Sequence, residues 1–209
     1  MDIESGSRRF GRVAGVPLYV HWSVLLALPW FCYRLEGVLA AVIASLAYTF
    51  VLLAHEVGHA LMARWREVEV YSIRLFVVHG QCEHAVPYYE HDDVWIAWGG
   101  VAAQALIIGV AWAAQFVLRG HIGWNAWQYI APLFHALIAA NFSTLIVNLV
   151  PVAPLDGKTA WRAIPLLREF IREKRRQKTR RKPKKTEKEL VESSQKIVAD
   201  AIEKLRNKY

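Results

Sequence analysis

Residues 51–62, VLLAHEVGHALM, place two histidines and a glutamate inside an apolar run. Polar side chains are costly in such a run unless they have a partner or a function. On a helix, His55 and His59 lie on one face and can share an ion, while Glu56 lies roughly 100° round the axis. In this His-Glu-x-x-His pattern the imidazoles hold zinc and the glutamate takes a proton from zinc-bound water. The alternative is a pair of buried histidines that hydrogen-bond to neighbouring helices.

The apolar residues around this stretch are segregated into long blocks. Hydrophobic residues make up 55% of the 209-residue chain, which has about the length of one domain. Blocks of about 20 apolar residues are typical of transmembrane helices. We therefore predict a mainly α, polytopic membrane protein with about four transmembrane helices, a short membrane-associated β-hairpin and a cytosolic helical tail.

The predicted core covers residues 16–157, between an N-terminal segment at 1–15 and a tail at 158–209. β-branched and aromatic residues at 68–78 predict the hairpin, at about 68–86. The predicted spans lie at about 16–33, 37–63, 94–118 and 129–150.

Charge is distributed unevenly along the chain. The tail holds 18 Lys and Arg against 7 Asp and Glu, whereas the rest holds 8 against 11. Basic residues mark the cytosolic side of membrane spans. Because Arg8, Arg9 and Arg12 precede the first predicted span and the basic tail follows the last, both termini are predicted to be cytosolic. The predicted location is the plasma membrane or the bacterial inner membrane, with several crossings.

The basic run at 172–185 favours anionic lipid headgroups as a partner, because it directly follows a cytosolic membrane exit. Charge alone is also compatible with nucleic acid, but no aromatic pattern or fold feature supports that partner. The sequence leaves the oligomeric state open.

Asp156 directly follows the fourth predicted span. The second and fourth spans run in the same direction, so both end on the cytosolic side. His55 lies about 18 residues, roughly 27 Å, into the second span, a depth that Asp156 can reach. Two histidines and one carboxylate leave a fourth zinc position for water, as in catalytic zinc sites. Taken alone, Asp156 is equally well explained as a turn residue before glycine.

Four separate motifs lie within residues 11–165. They are GVP at 15–17 with His21-Trp22, HEVGH at 55–59, Gly99-Gly100, and NLVPVAPLDG at 148–157. The set resembles the site-2 protease family of intramembrane zinc metalloproteases. The chain departs from the family pattern at Lys158, where a second glycine is common, and in the third span, which lacks the usual Gly-Pro with a following Asn.

The resemblance implies that His55, His59 and Asp156 bind Zn²⁺, that Glu56 is the catalytic general base, and that Asn148 contacts the substrate or its oxyanion. The implied activity is hydrolysis of a peptide bond within or near a transmembrane segment of a membrane-protein substrate. The biological roles implied are regulated intramembrane proteolysis and clearance of signal-peptide remnants.

Two other functions remain open at this stage. A zinc transporter can also carry His-Glu-x-x-His in a transmembrane helix, but it needs further ligands along a path across the bilayer. A catalytically silent relative would bind membrane segments without cutting them. For a protease, we expect an extended substrate to add a strand to the hairpin at 68–78.

Overall fold

The structure, a computed structural model, describes residues 6–180 and 187–207. It is mainly helical with a small sheet, which confirms the predicted class at that level. The strands are β1 (Ser7–Val13), β2 (Val16–His21), β3 (Val70–Leu75) and β4 (Gly80–His84). The helices are α1 (Ala27–Arg34), α2 (Val38–Trp65), α3 (Glu90–Arg119), α4 (Trp124–Phe134), α5 (Asn141–Asn148), α6 (Gly157–Ala160), α7 (Ala163–Arg180) and α8 (Glu187–Arg206). A 3₁₀ segment (Trp22–Leu26) precedes α1, and a π-helical segment (His135–Ala140) joins α4 to α5.

Three stretches of helix are long and apolar enough to cross a membrane. Among the described residues these are Val38–Trp65, Glu90–Arg119 and Trp124–Asn148, the last of which combines α4, the π-helical segment and α5. The 28 residues of α2 extend about 42 Å at 1.5 Å per residue, which exceeds the thickness of the hydrocarbon core. These helices identify a membrane protein.

Residues 16–33, predicted as the first transmembrane helix, do not form one helix. They contribute β2, the 3₁₀ segment and α1, whose eight residues extend only about 12 Å. β2 is paired on both edges, with β1 on one side and with β3 on the other, where Leu18 lies opposite Ile73. Pro17 lacks the N–H that a helix interior needs, and Val20 suits a strand. The apolar run is therefore divided between a sheet and a short helix, and four spanning helices are not confirmed.

The described strands pair in the order β1-β2-β3-β4, through antiparallel, parallel and antiparallel ladders. β1 and β2 form a hairpin whose turn residues, Ala14 and Gly15, both have positive φ (50° and 78°), as a type I′ turn requires. β3 lies between β2 and β4, so residues 70–75 have no free edge for a substrate strand. β4 is the edge strand at that end of the sheet.

The core of the sheet is built on α2. Leu52 and Ala60 of this helix form one buried cluster with Leu18, Ile73 and Leu75. Strands that alternate inward and outward side chains bury one face in this way. The sheet therefore lies against the half of α2 that carries the histidines.

The N-terminal part of the chain follows α2 along its length. Near the end of α2, the Arg64 guanidinium donates a hydrogen bond to the Ala14 carbonyl oxygen. Phe31 of α1 packs in a cluster with Ala44 near the start of α2, and its ring centroid lies 6.0 Å from that of Tyr48. Residues 14–31 therefore run antiparallel to α2.

The chain divides into two compact units, Met1–Ile164 and Pro165–Tyr209. The second unit holds most of α7 and all of α8. Exposed apolar residues form a stripe along α8, namely Leu190, Val191, Ile197, Val198, Ile202 and Leu205. Residues 1–5, 181–186 and 208–209, which belong to the predicted N-terminal segment and basic tail, lie outside the described residues.

Candidate metal centre

The helical geometry of α2 brings His55 and His59 together. Side chains four residues apart lie on one face of a helix. Both histidines are buried, and their Nε2 atoms lie 3.0 Å apart. Two potential ligand atoms are thus adjacent through local structure alone.

Asp156 joins this pair from a distant part of the chain. Its Oδ2 atom lies 2.9 Å from His55 Nε2 and 3.2 Å from His59 Nε2. Within residues 6–180 and 187–207, these three side chains are the one group of His, Cys, Asp or Glu with metal-ligand spacing. Burial alone would raise the pKa of the Asp156 carboxyl, but hydrogen bonds with His55 and His59 hold it below its ordinary value. The carboxylate is therefore ionised at neutral pH.

The hydrogen bond of His59 shows that the group suits a cation. His59 Nδ1 lies 2.7 Å from the Ile96 carbonyl oxygen, and only the imidazole can donate in that contact. A protonated His59 can also donate from Nε2 to Asp156 Oδ2, whereas the neutral ring, the form that binds metal, has a free lone pair on Nε2 directed toward the same site. A tetrahedral zinc ion places its ligand atoms roughly 3.3 Å apart, close to the 2.9–3.2 Å separations of these atoms. The donor set therefore fits zinc, with Ile96 orienting one ligand.

Two adjacent glycines let α3 lie directly against α2 and the histidines. A methyl group on Gly99 would come within 2.5 Å of the Gly58 carbonyl oxygen. One on Gly100 would come within 2.4 Å of His59 Nε2 and 2.6 Å of His55 Cε1. These separations are too short for any side chain, so both positions require glycine. The close approach explains the Gly99-Gly100 motif.

Glu56 is buried beside the three ligands. Its Oε1 atom lies 4.0 Å from His55 Nε2. On the other side, a methyl group on Gly80 would lie 2.3 Å from Glu56 Cγ and Oε1. The start of β4 therefore lies against this carboxylate, and glycine leaves the space that the carboxylate occupies.

Asn148, the last residue of α5, also reaches the histidines. Its Nδ2 atom lies 3.2 Å from His55 Nε2. Two helical turns earlier in α5, Asn141 Nδ2 donates a hydrogen bond to the Gln104 carbonyl oxygen at 3.2 Å. This contact joins α5 to α3. The structure thus brings all five sequence-predicted site residues to one place.

A cavity of about 440 Å³ opens onto these residues. The Cys82 thiol lines this cavity. Burial raises the pKa of the thiol to about 12, and the negative charges of Glu56, Asp156 and Glu83 act in the same direction. The thiol is therefore neutral at physiological pH, and it lies outside the group with metal-ligand spacing. Polar residues of the cavity wall include His79, Gln81, Cys82, His84, Asn148 and Thr159.

Comparison with known proteins found related sequences but no matching family model. "Putative zinc metalloprotease Rip3" of Mycobacterium tuberculosis is 29% identical over 171 residues, and the match covers 73% of this chain and 42% of the relative. "Putative zinc metalloprotease sll0528" of Synechocystis is 29% identical over 171 residues, which cover 75% of this chain and 43% of the relative. The chain therefore spans about two fifths of the length of these curated relatives.

A solved structure decides the fold. The Site-2 Protease from Methanocaldococcus jannaschii matches with a TM-score of 0.59 at 22% identity, over 76% of this chain and 71% of that one. The chain has the site-2 protease fold. At the level of the fold, this match bears out the resemblance to the site-2 protease family, and the sequence relatives are both named zinc metalloproteases.

Two tryptophans that the sequence motifs do not mark as site residues contact the segment that carries Asp156. Trp161 Nε1 donates to the Leu149 carbonyl oxygen at 2.7 Å, and Trp98 Nε1 donates to the Ala160 carbonyl oxygen at 3.1 Å. In the sequence, tryptophans near the end of an apolar run indicate only a membrane interface. Their positions beside Gly99-Gly100 and beyond the NLVPVAPLDG motif were the available signal.

Proposed function

We propose that this chain is an intramembrane zinc metalloprotease that hydrolyses a peptide bond within or near a transmembrane segment of a membrane-protein substrate. The observation that carries the proposal is the convergence of His55 Nε2, His59 Nε2 and Asp156 Oδ2, all within 3.2 Å of one another, beside the buried Glu56. The names of the curated relatives support the same enzyme class. Because the chain spans less than half of those relatives, the activity of the whole protein is part of the proposal.

In the proposed reaction His55, His59 and Asp156 hold the ion. A zinc ion held there would supply a Lewis acid and would make water more acidic, with a pKa of about 7. Glu56 accepts a proton from the attacking water, whose oxygen forms the new bond to the peptide carbonyl carbon. Glu56 then returns this proton to the nitrogen of the leaving amine as the C–N bond breaks. Its burial beside Gly80 limits competing contact between the carboxylate and bulk water.

Asn148 and β4 are proposed to hold the substrate. The Asn148 amide lies beside His55, where it can donate a hydrogen bond to the substrate carbonyl or its oxyanion. β4 ends the sheet, and its residues line the cavity. An extended segment added to β4 would gain backbone hydrogen bonds and pass Glu56 at Gly80.

We also propose four membrane crossings with both termini in the cytosol, in the plasma or bacterial inner membrane. Because residues 14–31 run along α2, the first crossing consists of β2, the 3₁₀ segment and α1 together. Arg8, Arg9 and Arg12 then share the cytosolic side with the basic tail, as the positive-inside rule requires. A reporter fused after residue 209 is expected to be cytosolic, and an extracytoplasmic reporter would contradict this topology.

Anionic lipid is the proposed partner of α7. Its exposed Leu167, Phe170 and Ile171 share a helix with the exposed Arg168 and Arg172, a combination that suits a membrane interface. In nanodiscs, amide exchange of α7 should slow when phosphatidylglycerol replaces part of the phosphatidylcholine. Equal exchange in both lipids would contradict this assignment.

The enzyme proposal is tested by Glu56→Gln, with the exposed Glu36→Gln as a matched control. The wild type and both variants are expected to bind one zinc ion per chain. Cleavage of a single-span substrate should fall by roughly 10²–10⁴-fold in Glu56→Gln, because general acid–base catalysis is lost, and should be unchanged in Glu36→Gln. Normal cleavage by Glu56→Gln would refute the assignment of the general base.

The substrate can be found by comparing membrane proteomes of cells that express wild type or Glu56→Gln. Single-span proteins that accumulate with the inactive variant are candidate substrates, either membrane-tethered regulators or signal-peptide remnants. Purified protein that moves zinc across liposomes without cleaving peptides would favour the transporter instead.

A further inference from the structure

The loop that carries Asp156 is folded back on the end of α5. A methyl group on Gly157 would lie 2.4 Å from the Leu149 carbonyl carbon and oxygen and from the Val150 oxygen, so the two backbones touch. Trp161 closes the same loop from its far end, where its indole N–H donates to the Leu149 carbonyl oxygen at 2.7 Å. This carbonyl belongs to the end of a helix, where it lacks an intrahelical partner. The two contacts define a closed segment, residues 149–161, around Asp156.

A second tryptophan fixes this segment to α3. Trp98 Nε1 donates to the Ala160 carbonyl oxygen at 3.1 Å, and Ala160 is fully buried. Ala160 N in turn donates to the Asp156 carbonyl oxygen at 2.8 Å. One turn of helix, α6, therefore connects the Trp98 contact to the backbone of Asp156.

The part of α3 that contacts the Asp156 segment also contacts the two histidines. The Ile96 carbonyl oxygen accepts the hydrogen bond of His59 Nδ1, and Gly100 lies against both imidazoles. Trp98 lies between them in sequence and extends to Ala160. Residues 96–100 thus contact both ligand-bearing parts of the chain and set their separation.

The Asp156 side chain has no hydrogen bond to the start of α6, so the local helix does not orient it. Its position depends on where the closed segment lies relative to α2. An indole offers one N–H donor on a large, stiff ring. That combination suits a residue that must hold a backbone carbonyl at a fixed distance.

We propose that Trp98 and Trp161 are positioning residues that hold Asp156 at the distance from His55 and His59 that zinc binding requires. The inference rests on the proposed zinc site and adds the groups that set its affinity. Neither tryptophan contacts the ion itself. Both act through the backbone of residues 149–161.

The test compares Trp98→Phe and Trp161→Phe with Trp95→Phe in the purified protein. Phenylalanine keeps an aromatic ring but removes the N–H donor. Trp95 is a matched control on α3, since it is half exposed and contacts the Trp65 ring. Zinc release to a chromogenic chelator should accelerate roughly tenfold or more in Trp98→Phe and Trp161→Phe, as for other outer-shell partners of a metal ligand. Trp95→Phe should release zinc at the wild-type rate.

Cobalt substitution and the stability of the metal-free protein separate positioning from general destabilisation. The cobalt absorption bands of Trp98→Phe and Trp161→Phe should change in intensity or position, because the carboxylate ligand moves, while the metal-free melting temperatures fall by no more than the loss of one hydrogen bond explains. If Trp98→Phe does not fold, Trp161→Phe provides the same measurement. Wild-type release rates and spectra in the folded variants would overturn the positioning role. A wild-type protein that binds no zinc would instead overturn the proposed function, and this inference with it.

Discussion

α2 delivers two ligands of the metal centre and the loop after α5 delivers the third, and the two parts are held by different means. The Nε2 atoms of His55 and His59 lie 3.0 Å apart because residues four apart share a helix face. Asp156 is 97 residues away from His59 in the chain and reaches it at 3.2 Å only through contacts with α3 and α5. Substitutions outside the ligand set should therefore weaken zinc binding mainly through the loop or through α3.

The largest effect on zinc binding is expected when either part loses a ligand. His55→Ala should abolish both zinc binding and cleavage, and Asp156→Ala should lower zinc affinity by more than the roughly 10–100-fold of an outer-shell change. His121→Ala, an exposed histidine bonded to the Val117 carbonyl, is the control. Competition with a chelator measures all three affinities. Tight zinc binding by Asp156→Ala would show that the loop contributes no ligand.

A smaller effect is expected where α3 touches the helix-borne ligands. In Gly100→Ala the new methyl group would lie 2.4 Å from His59 Nε2, so the imidazoles must shift and zinc affinity should fall about 10–100-fold. Gly109→Ala on the same helix is a matched control, because nothing lies within 4 Å of its methyl group. Chelator competition that gave equal affinities for the two variants would contradict the close packing of α3 on the histidines.

A still smaller effect is expected when the backbone packing of the loop is changed. Gly157→Ala places a methyl group 2.4 Å from the Leu149 backbone, which should push Asp156 away and lower zinc affinity about tenfold. The thermal stability of the metal-free protein should change less than its zinc affinity, because α2 and α3 still pack against each other. Gly123→Ala, where the methyl group meets open space, is the control. An unchanged affinity in Gly157→Ala would mean that the loop tolerates displacement.

The smallest effect on zinc binding is expected for Asn148→Ala. The Asn148 amide lies 3.2 Å from His55 Nε2 but belongs to the substrate side of the proposed mechanism. Zinc content should stay at the wild-type value, while kcat falls by about 10²–10³-fold if the amide stabilises the oxyanion. If Asn148→Ala lost zinc, Asn148 would have to be assigned to metal binding instead of to substrate contact.

The part of the site that α2 carries could be predicted from the local sequence pattern. His55, Glu56 and His59 sit in an apolar run whose only stable form in lipid is a helix, and a helix fixes their relative positions. The motif around Asp156 indicated a ligand but could not give its position. That position depends on the Gly157, Trp98 and Trp161 contacts, which join residues far apart in the sequence.

Residues 16–33 show the limit of hydrophobicity as a signal. Length and apolar content do not distinguish a spanning helix from a buried strand followed by a short helix. Here Leu18 pairs with Ile73, and this partner lies beyond α2, so no local window contains it. The same non-local pairing put β3 inside the sheet and left β4 as its edge.

The parallel pairing of β2 with β3 has a consequence for biosynthesis. β2 leaves the ribosome before α2, whereas β3 leaves after it, so α2 must be made before β2 gains its second neighbour. Until then the nascent strand has unpaired backbone groups, which cannot rest in hydrocarbon. The parallel ladder between β2 and β3 can therefore close only after the whole of α2 has been made.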